Sequence, residues 1–207
     1  MSIAGIILAG GKSTRLGRNK ALEPLLGKKM VQYVYDCVQP LVEQILIVTS
    51  RELATVPYPE GAVVLTDMFS DKGPLSGIYT GLLSAGSDYN IVVGCDMPFL
   101  NRKLLRHMVE QCRGFDAVVP KLSPSQTEPL HAIYSRSCVD KMRSLLETGQ
   151  LQIRSLFKEI NVKYIGAQEC REFDAELSSF ININNQADLE KAIALAGKAG
   201  GKGLCPE

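Results

Sequence analysis

The stretch "LAGGKSTRLG", Leu8 to Gly17, continues into "RNK" and sets Lys12, Arg15, Arg18 and Lys20 along one glycine-rich run. Cations interleaved with glycines can hold an anion, because glycine lets the backbone amides come close to it. The run is not a Walker loop. With Lys12 and Ser13 as the terminal pair, the first glycine of that motif would fall at Ile6, inside the apolar run "IAGIILA". Gly17, Asn19 and Pro24 then keep the following residues irregular instead of starting a helix. Phosphate would therefore be gripped by amides and side-chain cations, not by a helix-capped cradle. Two acidic residues end apolar runs further on: Asp67 after "AVVLT" and Asp96 after "NIVVGC". A carboxylate in that place is a hard oxygen donor of the kind magnesium takes. Asn182 and Asn184, in "FININ", alternate as residues on one face of a strand would.

These residues need elements to bring them together. Apolar runs alternate with helical patterns from the start: "IAGIILA", then "KMVQYVYDCV" with Met30, Val31, Val34 and Val38 near one helical face, then "QILIVTS". "AVVLTD", the helical "PLSGIYTGLLSAG", the strand "NIVVGCD" and a helix from about Asn101 to Cys112 follow. That rhythm predicts βαβ units, an α/β protein with a mostly parallel sheet. "FDAVVP", "LHAIYS", "NVKYIG" and "FININ" are further candidate strands, with room for one antiparallel member. The last helix is expected to start at Asn185 as its cap, with Asp188 three residues on. Residues 121–128, "KLSPSQTE", read as a polar mobile loop. The expected organisation is one domain over 1–196 and a Gly-rich flexible tail over 197–207. Ligands of open parallel sheets bind at the carboxyl ends of strands, where the first loop, Asp67 and Asp96 would meet.

The bulk numbers narrow the function classes. A chain of 207 residues suits one domain that can bury a core without staples. Its 45% hydrophobic and 22% charged content are those of a soluble globular protein. A net charge of +1 argues against a dominant nucleic-acid surface. No apolar run reaches the roughly 20 residues of a membrane span, and the start lacks a basic leader, so a cytoplasmic protein is expected. The cysteines, at 37, 95, 112, 138, 170 and 205, show no CxxC spacing and read mostly as small apolar fillers, with Cys205 exposed in the tail.

Each candidate has a plainer reading. Asp96 could be a helix cap, but Asn101 is better placed for that, which favours the metal-ligand role. For Asp67 the structural reading is favoured, since acidic residues often end a strand before a turn. Lys12 and Arg18 read as solvated surface cations, whereas glycines flank the loop of Arg15 and Lys20. His107 and His131 have no nucleophile or acid at a recognisable spacing, and packing is the better reading for both. Asn182 and Asn184 divide evenly between backbone partners and ligand contacts.

Taken in order, "LAGGKSTRLGRNKAL", "GPLSGI" after an acidic residue, "CDMPFL", "EPLHAIY" and "FININNQADLE" resemble the motifs of molybdenum cofactor guanylyltransferases of the MobA type, from residue 3 to about 193. The resemblance implies a three-layer Rossmann-like nucleotidyltransferase fold. It implies transfer of GMP from GTP to molybdopterin or Mo-molybdopterin, with loss of pyrophosphate and with Mg2+ as cofactor. Residue by residue, it places GTP on Leu8, Ala9, Gly10, Lys20, Asp67 and Asp96, the metal on Asp96, Arg15 and Lys20 at the phosphates, and the pterin substrate near Asn182 and Asn184. Molybdoenzyme maturation proteins are the implied partners, with a monomer favoured. The chain departs from the family pattern at Asn19, where an aspartate is usual, and after the second strand, where Thr49 or Ser50 stands in place of an asparagine. Two other readings stay open: a transferase for another base or acceptor, such as cytidylyl transfer to molybdopterin or transfer to a sugar or polyol phosphate, and a non-catalytic nucleotide-binding regulator on the same fold.

Overall fold

The structure is a computed structural model that describes residues 1–10, 20–69 and 71–198. Its elements, in chain order, are β1 (Ile3–Leu8), the short strands β2 (Pro24–Leu25) and β3 (Lys28–Lys29), α1 (Met30–Val38), β4 (Gln44–Thr49), β5 (Ala62–Thr66), α2 (Gly73–Ala85) and β6 (Tyr89–Gly94). There follow α3 (Arg102–Glu110), β7 (Ala117–Ser123), β8 (Gln126–Thr127), β9 (His131–Ser135), α4 (Cys138–Glu147), α5 (Ile153–Leu156), β10 (Val162–Gly166), α6 (Ala167–Phe173) and α7 (Gln186–Lys198). The main sheet has the order β10-β7-β9-β6-β1-β4-β5, with β8 paired to β7. β6, β1, β4 and β5 run parallel, β10 is parallel to β7, and β9 is antiparallel to both neighbours.

The apolar runs become strands buried on both faces because helices cover both sides. In β1, Ile7 joins the core formed with Val31, Val34 and Val38 of α1 and Leu104, Leu105 and Met108 of α3. Its neighbours Ile6 and Leu8 face the other way, into the core of α2 and α4. Each fully buried aliphatic side chain of this kind stabilises by roughly 1.5–3 kcal/mol. A third, smaller cluster of Leu25, Met30, Phe99, Ile183, Leu189, Ala192 and Ala196 holds α7 against the β2–β3 ribbon. The result is three layers, helix on sheet on helix, as the alternation predicts.

Glycines set how closely α2 lies on β1. A Cβ on Gly81 would come within 2.6 Å of Ile6, and one on Gly77 within 3.1 Å of Leu8. Gly77 and Gly81 are four apart on one helical face, so that face of α2 rests almost directly on the strand that leads to the first loop. Asn101 caps α3, its side chain accepting from the Leu104 amide at 3.0 Å. Asn185 caps α7, accepting from the Asp188 amide at 2.9 Å, while Asp188 accepts in return from the Asn185 and Asn184 amides at 3.2 and 2.9 Å. Cys95, Cys112, Cys138 and Cys170 are buried among apolar side chains, and burial pushes the Cys138 thiol up to about 12 and that of Cys170 up to about 11.

Two expectations are overturned. Residues 121–128 are not a loose loop: they form a hairpin in which β7 turns through Pro124 and Ser125 into β8, and the Glu128 amide closes on the Pro120 carbonyl at 3.0 Å. Lys121 stacks over the Tyr164 ring and Arg154 donates to the Ser125 carbonyl at 2.8 Å, which fixes the turn from outside. "FININ" is not a strand either. After the short turn Ser178–Phe180 the chain is extended but pairs with no strand, because β6 already has β1 and β9 on its two sides. α7 continues to Lys198, beyond the expected boundary at 196, and the rest of the expected tail lies outside the described residues.

Candidate active site

Four parallel strands end on one rim. Leu8 lies opposite Val48 and Gly94, and Thr49 lies opposite Thr66, so Ala9, Ser50, Asp67 and, one residue further on, Asp96 follow strands that stop at about the same level. Between Asp96 and Asp67 there are three strand-to-strand steps, or about 14 Å at ~4.8 Å per step. They cannot share one ion. A ligand that meets both must be elongated, running along the rim.

At the middle of the rim, Leu8 and Ala9 are buried at 9% and 4% exposure, and their backbone is already engaged. The Leu8 carbonyl accepts from the Cys95 amide at 3.1 Å, the Ala9 amide donates to the Val48 carbonyl at 2.8 Å, and the Ala9 carbonyl accepts from the Thr49 hydroxyl at 3.3 Å. Gly10, the next residue, is exposed, and a Cβ there would meet the Thr49 and Ser50 backbone at 3.6 Å. Lys12, Arg15 and Arg18 lie outside the described residues. Lys20 opens a short helical turn, Lys20–Leu22, and the next residue, Ala21, is fully buried in the core that also contains Ala9 and Cys95. The chain thus returns to the rim at Lys20.

Asp67 is held in place. Its Oδ1 accepts from the Phe69 amide at 3.1 Å, from Thr80 Oγ1 at 3.3 Å and from Ser76 Oγ. Ser76 and Thr80 are one turn apart on α2, which explains why "GPLSGI" follows an acidic residue: the helix supplies hydroxyls to the strand end before it. Asp67 is half-buried, and Oδ2 takes no hydrogen bond among the described residues. The aspartate is a turn-former and a helix anchor, held through Oδ1.

Asp96 stands where Gly94 makes room for it. A Cβ on Gly94 would come within 2.6 Å of Asp96 Oδ1, so the missing side chain is the space the carboxylate occupies. The Asp96 carbonyl accepts from the Ile183 amide at 2.9 Å. That bond brings Asn182, which is exposed, and Asn184, which is half-buried, to either side of Asp96. A second fastening lies behind it. Ser179 Oγ accepts from the Asn101 amide at 2.9 Å, and Asp174 accepts from the Ser178 and Ser179 amides at 3.1 and 2.7 Å. Among the described residues no group of three or more His, Cys, Asp and Glu stands together. A carboxylate with no such group around it fits an ion like magnesium, which keeps several waters and takes other ligands from substrate phosphates, better than it fits zinc.

Three residues named from the sequence find their places here, and a fourth, Tyr58, had no signal in it. Thr49 is fully buried, so it cannot touch a base; Tyr58 sits 3.0 Å from its hydroxyl. His131 is fully buried, among the described residues neither ring nitrogen has a hydrogen-bond partner, and its ring lies 4.8 Å from that of Phe180. Burial lowers its pKa to about 4; the Ser179 backbone and Asp174 pull the other way from positions that are not hydrogen-bonding ones for the ring. "EPLHAIY" carried a signal for the placement of His131, since a polar residue opens an otherwise apolar strand, but none for its isolation. His107, by contrast, pairs with Glu169 at 2.7 Å and stacks on Phe173, in the α3–α6 contact.

A three-layer α/β fold whose parallel strands end on acidic residues and a glycine-rich basic loop defines a nucleotidyltransferase of Rossmann-like fold. Residues 5–164 match the model of the MobA-like NTP transferase domain, and the chain belongs to that family. It is 38% identical to the molybdenum cofactor guanylyltransferase of Desulfosudis oleivorans, over 96% of this chain and 98% of that protein. It is 32% identical to the protein of the same name from Syntrophotalea carbinolica, over 91% and 89%. The crystal structure of molybdopterin-guanine dinucleotide biosynthesis protein A from Archaeoglobus fulgidus superimposes with a TM-score of 0.81 at 30% identity, covering 94% of this chain and 99% of that one. A cytidylyltransferase for 2-C-methyl-D-erythritol 4-phosphate from Thermus thermophilus shares the fold, with a TM-score of 0.70 at 17% identity.

Proposed function

We propose that the protein transfers GMP from GTP to the terminal phosphate of molybdopterin, with or without molybdenum, releasing pyrophosphate and forming the molybdopterin guanine dinucleotide. The observation that carries this reading is the tie between Ile183 and Asp96, which sets a polar segment, Asn182 to Asn184, beside the strand-end carboxylate. One side of Asp96 thereby serves a nucleotide stretched along the rim towards Asp67, and the other side serves a second substrate. The names of the relatives support guanine as the base and molybdopterin as the acceptor.

The attacking group is a phosphate oxygen that is already ionised, so no general base is required, and His131 and His107 are not called upon. The obstacle is repulsion between two anions. Arg15 and Lys20 supply positive charge to the triphosphate from the loop, and the backbone at Gly10 meets the guanine. Asp67 offers its Oδ2 to the nucleotide, and Asn182 and Asn184 orient the pterin substrate. Asp96 holds Mg2+, which when bound contributes further charge against the α-phosphate and the leaving pyrophosphate. No helix among the described residues is long and apolar enough to cross a membrane, in keeping with work in the cytoplasm.

The test is pyrophosphate release with Mg2+ and molybdopterin, offering GTP and CTP in parallel. Release with GTP and at most a small fraction of it with CTP is expected. Equal release with both would remove guanine selectivity, and no release with either would return the protein to the class of nucleotide-binding regulators.

A further inference from the structure

β4 ends on Thr49, with Ser50 next, and the geometry shows what the threonine does there. Thr49 is fully buried, so any effect on a ligand is indirect. Its hydroxyl lies 3.3 Å from the Ala9 carbonyl and 3.0 Å from the Tyr58 hydroxyl. A carbonyl only accepts, so the single Thr49 proton goes to Ala9, and Tyr58 must donate to Thr49. The chain Tyr58–Thr49–Ala9 therefore ends on the last peptide before the exposed Gly10. The preceding peptide, Leu8–Ala9, is held separately, its amide donating to the Val48 carbonyl at 2.8 Å and its carbonyl accepting from the Cys95 amide at 3.1 Å, so the Thr49 hydroxyl is the bond that acts on the Ala9–Gly10 peptide itself. A Cβ on Gly10 would meet the Thr49 and Ser50 backbone at 3.6 Å, so the glycine lies alongside the end of β4.

We propose that Thr49 and Tyr58 are positioning residues for base recognition: they fix the plane of the Ala9–Gly10 peptide, and through it the direction in which the loop backbone meets the purine edge of a nucleoside triphosphate. A peptide that meets a base edge discriminates only while its plane is fixed; a peptide free to rock can satisfy other donor and acceptor patterns. The proposal rests on the nucleotide-binding half of the function proposed above and not on the acceptor.

The experiment is calorimetric titration of the full chain with GTP, ATP and CTP in Mg2+, without acceptor, together with thermal unfolding. Thr49→Val keeps the shape and removes the hydroxyl. It is expected to weaken GTP binding about tenfold, the equivalent of one net hydrogen bond, and to shrink the preference for GTP over ATP. Thr49→Ser keeps the hydroxyl and loses a buried methyl, so it should lower the melting temperature while leaving the GTP affinity and preference near wild type. Tyr58→Phe should weaken GTP binding by a smaller factor, and should add almost nothing to Thr49→Val, because both cut one chain. A merely structural role would make nucleotide affinity follow melting temperature across the set, and that pattern overturns the proposal. So does GTP binding by Thr49→Val at wild-type strength, and so does a wild-type protein that binds none of the three nucleotides. A wild type that binds GTP with preference yet releases no pyrophosphate with molybdopterin would remove the acceptor from the proposed function and leave this inference to the three variants.

Discussion

Asp96 and Asp67 both end a parallel strand, yet their surroundings assign them different work. Asp67 Oδ1 is taken up by α2 and its own turn, whereas the Asp96 carboxylate has a space kept for it by Gly94. Asp96→Asn keeps shape and turn-forming ability but replaces an anionic oxygen with a neutral one. The expected outcome is an unchanged melting temperature and a loss of most GMP transfer, part of which returns as Mg2+ is raised. Near-wild-type transfer by the folded variant would remove the metal from this residue. His131 gives a different kind of prediction. Burial lowers its folded-state pKa to about 4 from an ordinary value of 6.5. The unfolded chain therefore binds the proton first as pH falls, and stability should drop between about pH 6.5 and 4, by an amount on the order of 3 kcal/mol when the window is crossed. His131→Phe has no proton to bind and leaves no unsatisfied nitrogen in the core. Its stability should fall less over that window in denaturant titrations at pH 7, 6, 5 and 4. An equally steep fall in the variant would place the acid sensitivity elsewhere.

Elements carry these residues to the rim with little tolerance, and the glycines show where the tolerance ends. Gly94→Ala would set a methyl 2.6 Å from Asp96 Oδ1. The carboxylate is the movable partner, so the variant should fold, bind GTP within a few-fold of wild type and lose at least tenfold in transfer at low Mg2+, as read by pyrophosphate release over a magnesium series. Unchanged transfer at every concentration would mean that Asp96 does not need its observed orientation. The sequence was informative about elements wherever period and caps agreed. α1, α2, α3 and the six long strands from β1 through β9 lie where the apolar patterns put them, and Asn101 and Asn185 cap the helices they precede. It failed where local pattern and long-range pairing part. "FININ" alternates like a strand, but a strand needs a free edge, and β6 has none left. "KLSPSQTE" is polar and contains Pro124, yet Pro124 is the residue that makes its turn, and Lys121 and Arg154 secure it through partners far away in sequence. The Thr49–Tyr58 chain was illegible for a related reason: its members are joined through space to Ala9, 40 positions before Thr49.

At the scale of the whole molecule the sheet divides the labour at β6. β1, β4 and β5 lie to one side and bring Gly10, Thr49 and Asp67 to the rim; β9, β7 and β10 lie to the other, with the segment from Ser178 to Asn184 fastened over the end of β6. The Ile183–Asp96 bond is the tie between the asparagine segment and the end of β6, which places Asp96 between the two sides. Substitutions more than about 7–10 Å apart with no shared partner usually add. Asn182 is exposed and Asn182→Ala should leave both the fold and the GTP affinity as they are, while raising the KM for molybdopterin about tenfold through the loss of a polar contact. Thr49→Val should do the converse, acting on GTP and sparing the KM for molybdopterin. In the double variant the two losses should multiply in kcat/KM, within a factor of about two. Steady-state kinetics with each substrate varied against the other checks this. Should Asn182→Ala weaken GTP binding as much as it weakens molybdopterin, the two substrates would have to share the segment, and the rim would have to be redrawn with the nucleotide crossing β6 towards β9.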